Sequence, residues 1–318
     1  MTILFAMKWW LFLFLFISTS ALTQVPVPSN GKVIRHENFK SSFVTTRHVD
    51  VWLPDGYSSK KKYAVLYMHD GQMLYDSAIA WNKQEWGVDE TMSSLLKEKK
   101  IRECIVVGIW NGGKYRHTDY FPQKPFESLN EQERDSLYYA KRTNGQMVFQ
   151  GEKVHSDEYL KFLVTELKPF IDKTYSTKTD RANTFVAGSS MGGLISMYAI
   201  CEYPEVFGGA ACLSTHWPGI FTTENNPVPS AFMNYLQQHL PSPLTHSIYF
   251  DYGDATLDAL YPPLQKIADV IIREKGYTNK NWITKYFPGE DHSENAWRKR
   301  LDIPLLFLLK KDHESYKK

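Results

Sequence analysis

Phe185-Val186-Ala187-Gly188-Ser189-Ser190-Met191-Gly192-Gly193-Leu194 is the stretch on which the reading of this 318-residue chain turns. A short apolar run meets a glycine-flanked turn, and small residues open the segment beyond it. At its centre is G-x-S-x-G around Ser190. A serine hydroxyl is a poor nucleophile at neutral pH. It needs a base to take its proton and donors to hold the charge that develops on a substrate oxygen. A strand-to-helix elbow serves both needs. It lifts the serine out of the fold and sets the next N–H, that of Met191, at a helix N-terminus. A side chain at Gly188 or Gly192 would crowd such a turn. The pattern alone also fits a glycine-rich turn with a capping serine, so its surroundings decide. Upstream, Thr184 to Ala187 reads as a buried strand. Downstream, Leu194, Ile195, Met197, Tyr198 and Ile200 recur at helical spacing until Pro204.

Working outward, Tyr63–Met68, Cys104–Ile109, Gly209–Leu213, Ile248–Tyr252 and Trp282–Phe287 read as further apolar strands. Helical periodicity falls on Thr91–Lys99, Asp157–Tyr175, Leu260–Lys275 and Ser293–Lys310. Before them, Ser42-Phe43-Val44 and Arg47–Leu53 alternate as antiparallel strands do. Antiparallel strands first, then strands alternating with helices, predict an α/β fold. Its central sheet is mostly parallel, has helices on both faces and carries antiparallel strands at the N-terminal edge. Segment 111–151 is polar, aromatic and without period. It follows a predicted parallel strand at its carboxyl end, where site loops gather in open sheets.

Composition is that of an ordinary globular protein, 43% hydrophobic and 23% charged, with a net charge of +2. Nothing in it points to a nucleic-acid partner. Lys8, the apolar run Trp9–Ile17 and the small residues Ser18–Ala21 have the form of a secretory signal peptide, cut between Ser20 and Gln24. Residues 1–23 are therefore assigned to export, to a periplasm or the medium, with no membrane segment left after cleavage. Residues 24–318 are assigned to one domain. The run is shorter than the roughly 20 residues a spanning helix needs. Cys104, Cys201 and Cys212 read as buried thiols or, for the latter two, as a bridge. No spacing suggests a metal site, and no cofactor is called for.

A nucleophilic serine implies a histidine in a loop after the last strand and an acid after the one before it. His292, in the turn Pro288-Gly289-Glu290-Asp291-His292, fits the first. Asp254 and Asp258 both follow Ile248–Tyr252, and position alone leaves the two open. The loop His69-Asp70-Gly71-Gln72 offers the Gln72 N–H as a second oxyanion donor beside Met191. Asp70 should turn its carboxylate away and hold the loop. His216 is a candidate substrate contact, with His69 and His117 as weaker ones. Trp110, Tyr115, Tyr120, Phe121 and Trp217 are candidates for an aromatic mouth.

Leu66-Tyr67-Met68-His69-Asp70-Gly71-Gln72-Met73-Leu74-Tyr75-Asp76 resembles the signature of the esterase-D-like, enterochelin esterase-like family of α/β-hydrolases. Ala187–Gly193 is similar to its nucleophile motif, and Val106–Asn111 with Arg116 to a further element. Asp251-Tyr252-Gly253 through Leu257-Asp258 and Tyr261-Pro262-Pro263 resembles its acid loop, and Gly289–Glu294 with Trp297 its histidine block. The resemblance implies an α/β-hydrolase fold and a serine esterase with Ser190, Asp258 and His292 as triad. Asp254, where the family commonly has threonine, is the alternative acid. Trp110, Asn111, Arg116, His216 and Trp217 are candidate substrate contacts by position, since the atypical segment 111–151 lets none be carried over from the family there. The implied substrate is a small-molecule or oligosaccharide ester, of acetyl or feruloyl type. A siderophore trilactone is the alternative, and a non-catalytic binding protein on the same fold is the rival from another class.

Overall fold

The computed structural model describes residues 24–311. Residues 1–23, read above as a signal segment, and the end of the charged tail lie outside them. Eight strands form one sheet: β1 (Lys32–Phe39), β2 (Arg47–Leu53), β3 (Ala64–His69), β4 (Cys104–Ile109), β5 (Thr184–Ser189), β6 (Gly209–Leu213), β7 (Ser247–Tyr252) and β8 (Trp282–Tyr286). Their order is β1-β2-β4-β3-β5-β6-β7-β8. β1 and β2 pair antiparallel, as do β2 and β4, and every later pair is parallel.

β3 to β6 are buried throughout, and largely apolar, because both faces are covered. Side chains alternate between two cores: Val65, Tyr67 and Val186 face one, Leu66, Met68 and Ala187 the other. One edge strand lies elsewhere than the sequence reading puts it. Lys32–Phe39, not Ser42–Val44, pairs with β2. An edge strand half open to water carries too many polar residues for its pattern to stand out.

The helices are α1 (Val88–Lys97), α2 (Arg116–Tyr120), α3 (Gln123–Glu127), α4 (Glu131–Tyr138), α5 (Ser156–Lys161), α6 (Lys168–Thr174), α7 (Met191–Glu202), α8 (Val228–His239), α9 (Pro262–Glu274), α10 (Glu294–Arg298) and α11 (Asp302–Leu308). Residues of α1 and α11 join one core, those of α7, α8 and α9 the other. α5 and α6 form one rod with a π-helical stretch, Phe162–Leu167, between them. Pro169 cannot donate to the Thr165 carbonyl, and the widened turns before it accommodate that loss. The predicted final helix is two, because Pro304 is tolerated in the first turn of α11 but not within a continuous helix.

Segment 111–151 is folded rather than irregular. It supplies α2, α3 and α4, and α4 starts at a reciprocal cap between Asn130 and Glu133. Tyr120, Phe121, Phe126, Val148 and Phe149 bury themselves in the core that α7 joins. All three cysteines are free and buried.

Candidate active site

The elbow sits where β5 meets α7. Ser190 adopts φ 59° and ψ −122°, a region that non-glycine residues enter only under constraint. The constraint is visible in its bonds. Ser190 N–H donates to the Leu213 carbonyl at 2.9 Å, and the Ser190 carbonyl accepts from Gly193 at 3.0 Å and His216 at 3.2 Å. A Cβ on Gly188 would lie 2.8 Å from the Gly192 backbone, so a side chain there is excluded. Gly192 is less tight than the sequence suggests, its nearest neighbour being the His69 Cβ at 3.4 Å.

Ser190 lines a cavity of about 640 Å³ together with Gln72, Met191, His216 and His292. Met191 is the first residue of α7, so its N–H has no carbonyl within the helix to bind. Gln72 lies in a 3₁₀ turn, Gly71–Met73, entered through Asp70 at φ 57°.

His292 Nδ1 lies 2.6 Å from Asp258 Oδ1. Asp258 Oδ2 accepts from Ser214 Oγ at 2.6 Å and from Gly253 N–H at 2.7 Å, so the buried carboxylate is fully engaged. Burial works to raise the Asp258 carboxyl, but His292, then Ser214 and Gly253, hold it below its ordinary value. Under it, Ser214 Oγ also accepts from Trp297 Nε1 at 2.9 Å and Arg300 at 3.1 Å, and Arg300 pairs with buried Asp251 at 2.9 Å. A Cβ at Gly253 would stand 2.0 Å from the Glu290 carbonyl. The acid loop and the histidine loop therefore touch backbone to backbone.

Asp254 is elsewhere. It is bound by Tyr286 and, at 2.7 Å, by Gly289 N–H, and no hydrogen bond joins it to His292. The distinction is spatial: Asp258 lies in a 3₁₀ turn that folds back under β7. The Tyr261 hydroxyl lies beside Ser190 and 2.9 Å from His216 Nδ1. In this conformation no hydrogen bond joins Ser190 to His292. Tyr261 and Ser214 are site residues that reading the chain did not single out as contacts. Tyr261 stood in the quoted acid-loop motif, whereas no local signal marks Ser214.

Asp70 holds the loop, but not by turning away. Its carboxylate lines the cavity, 3.6 Å from where a Gly192 Cβ would be. Both oxygens accept from Arg116 at 2.7 Å, and Asn111 adds a third bond at 2.7 Å. Burial favours the neutral acid, but Arg116 and Asn111 win and hold the carboxyl below its ordinary value.

Asn111, Arg116 and His216 do line the cavity. Burial, followed by the nearby charge of His292, pushes His216 down to about 3, so it is neutral. Trp110 and Trp217 are corrections. Trp110 donates to Asp50 of β2 at 2.7 Å and lies under Arg35 of β1. Trp217 is fully buried, donating to Gln265 at 2.8 Å. Tyr120 and Phe121 are core as well. The cavity's aromatic walls are instead Trp81, Trp86, Trp297 and Phe221. The loop that carries Trp81 and Trp86 has no period that would have marked it. Among the described residues no group of His, Cys, Asp and Glu could hold a metal ion. No helix among them is long and apolar enough to cross a membrane.

A family model described as "Putative esterase" matches residues 41–308. Among curated proteins, the uncharacterized protein YbbA of Bacillus subtilis is 26% identical over 173 residues, 54% of this chain and 58% of YbbA. The endo-1,4-beta-xylanase/feruloyl esterase of Xylanibacter ruminicola is 28% identical over 179 residues, 52% of this chain and 19% of that protein. The chain thus spans less than two thirds of the curated relatives it matches. Among solved structures, the enterobactin esterase FES from Shigella flexneri superposes with a TM-score of 0.62 at 16% identity, over 89% of this chain and 60% of that one. At that identity the likeness is one of fold.

Proposed function

Since this chain belongs to the esterase family whose model covers residues 41–308, we propose that it is an exported serine esterase, acting through Ser190, His292 and Asp258. His292 takes the proton of Ser190 as its oxygen attacks an ester carbonyl. Asp258 holds the imidazole in the tautomer with Nδ1–H and stabilises its charged form. The N–H groups of Met191 and Gln72 receive the developing oxyanion. His292 then protonates the leaving alcohol, and water repeats the sequence on the acyl-enzyme. Before attack the Ser190 hydroxyl must come within hydrogen-bond reach of His292 across the cavity that they share.

The observation that carries this reading is the 2.6 Å contact of His292 with an otherwise saturated carboxylate, on a cavity shared with a serine at positive φ. A binding protein would gain nothing from that strain. The substrate is an acyl ester on carbohydrate. Trp81, four-fifths exposed, offers an indole face to a sugar ring at the cavity rim, with Asn82 and Gln84 as amide partners. Hydrolysis of 4-nitrophenyl acetate by the wild type, absent from Ser190→Ala, tests the activity. Equal hydrolysis by both proteins would remove the mechanism. Acetylated and feruloylated oligosaccharides against a catecholate trilactone then separate the substrate classes.

A further inference from the structure

The walls of the cavity differ in charge. Around Trp297 lie His292, Trp86 and Glu294, whose carboxylate accepts from Asn82 at 2.7 Å. Around Phe221 gather His117, His216 and Arg142. His117 is held neutral by burial and by its cationic neighbours, and His216 likewise. Arg116 is neutralised by Asp70. Arg142 is not neutralised. Its guanidinium lies 4.7 Å from the Phe221 ring centroid, and no carboxylate, carbonyl or hydroxyl partner for it is found among the described residues. It is half-buried and faces the cavity. Desolvation, then Arg116, disfavours its charge, and no acid offsets them.

A guanidinium that has lost part of its water without gaining a counter-ion is costly, unless a ligand supplies the anion. A guanidinium resting on an aromatic face keeps its N–H edge free for a bidentate partner. His292 must protonate the leaving alcohol, so the alcohol half of an ester belongs on the wall that His292 shares with Trp297. The acyl half is left the wall around Phe221.

We propose that Arg142 and Phe221 form a subsite for a carboxylate on the acyl half of the substrate, so that the preferred ester is a half-ester of a dicarboxylic acid. This rests on the esterase reading above. The carboxylate stays ionised throughout and takes no part in bond making.

Two isosteric probes test it: 4-nitrophenyl hexanoate and the mono-4-nitrophenyl ester of adipic acid, in which a carboxylate replaces the terminal methyl. The wild type should favour the adipate in kcat/KM by about tenfold at low ionic strength, through KM, with the preference shrinking as salt rises. Arg142→Gln should abolish the preference, and Arg142→Lys should retain part of it. An adipate-to-hexanoate ratio that is unchanged in Arg142→Gln, or at or below one in the wild type, overturns the subsite. Should Arg142→Gln fail to fold, the wild-type ratio and its salt dependence still decide. Absence of hydrolysis of either ester by the wild type would strike the esterase reading, a separate outcome.

Discussion

Two carboxylates serve the loops around Ser190, and their partners set them apart. Asp258 holds the imidazole of His292, whose second ring nitrogen can take a proton from a nucleophile. Asp70 holds Arg116, a guanidinium raised further by Asp70 against the cost of burial, and so charged at every pH of interest. Both acids lie below their ordinary values, yet only the first belongs to a pair through which a proton can move. The second fixes the turn that carries Gln72. The same ion-pair chemistry therefore yields the proposed proton-transferring pair on one wall and a fixed strut on the other.

The largest effects should come from the reactive side. Ser190→Ala should lower kcat on 4-nitrophenyl acetate by roughly a millionfold, and Asp258→Asn by about ten-thousandfold with KM little changed. Asp254→Asn should stay within about twofold, since that side chain meets only Tyr286 and Gly289. A deep loss in Asp254→Asn with none in Asp258→Asn would reverse the assignment of the acid.

Gly253→Ala comes next. The added methyl cannot coexist with the Glu290 carbonyl, so the two loops must part. A loss of about 3 kcal/mol in chemical denaturation, together with a fall in kcat, is the expected result. Unchanged stability would show that the backbone contact is not needed.

The strut is read through pH. A carboxyl whose folded pKa is depressed contributes stability that is present above its unfolded value, near 3.8 for Asp70. That stability is lost as pH falls through the lower folded value. Asp70→Asn should cost about 2 kcal/mol at pH 7 and progressively less below pH 4, by denaturant titration at each pH. A cost that does not depend on pH would mean that Asp70 acts by shape rather than charge.

The sequence carried most of the fold because the parallel strands are buried on both faces. Cys104–Ile109 and Gly209–Leu213 are apolar without interruption, and their limits are the observed ones. β1 escaped because an edge exposed to water relaxes the pattern. α3 and α4 escaped although Asn130 and Glu133 spell a capping box, for prolines and polar residues hid their apolar face. In the site, motifs marked Ser190 and His292, which line one cavity, and Asp258, which holds His292, but not the direction in which side chains leave the chain. Trp110 and Arg116 both follow β4, yet one turns to Asp50 and the other to the cavity. Asp254 and Asp258 differ only in how a 3₁₀ turn folds back, which no local spacing reveals. Arg142 and Trp81 reach the cavity from segments that carry no motif.

The account rests on Ser190 being the residue that attacks. Intact and peptide mass spectrometry after treatment with a phosphonofluoridate, a reagent that traps only activated serines, tests this most directly. One adduct per chain, on the peptide bearing Ser190 and lost together with activity in Ser190→Ala, is the predicted result. An unmodified Ser190 in protein that still hydrolyses ester would contradict it.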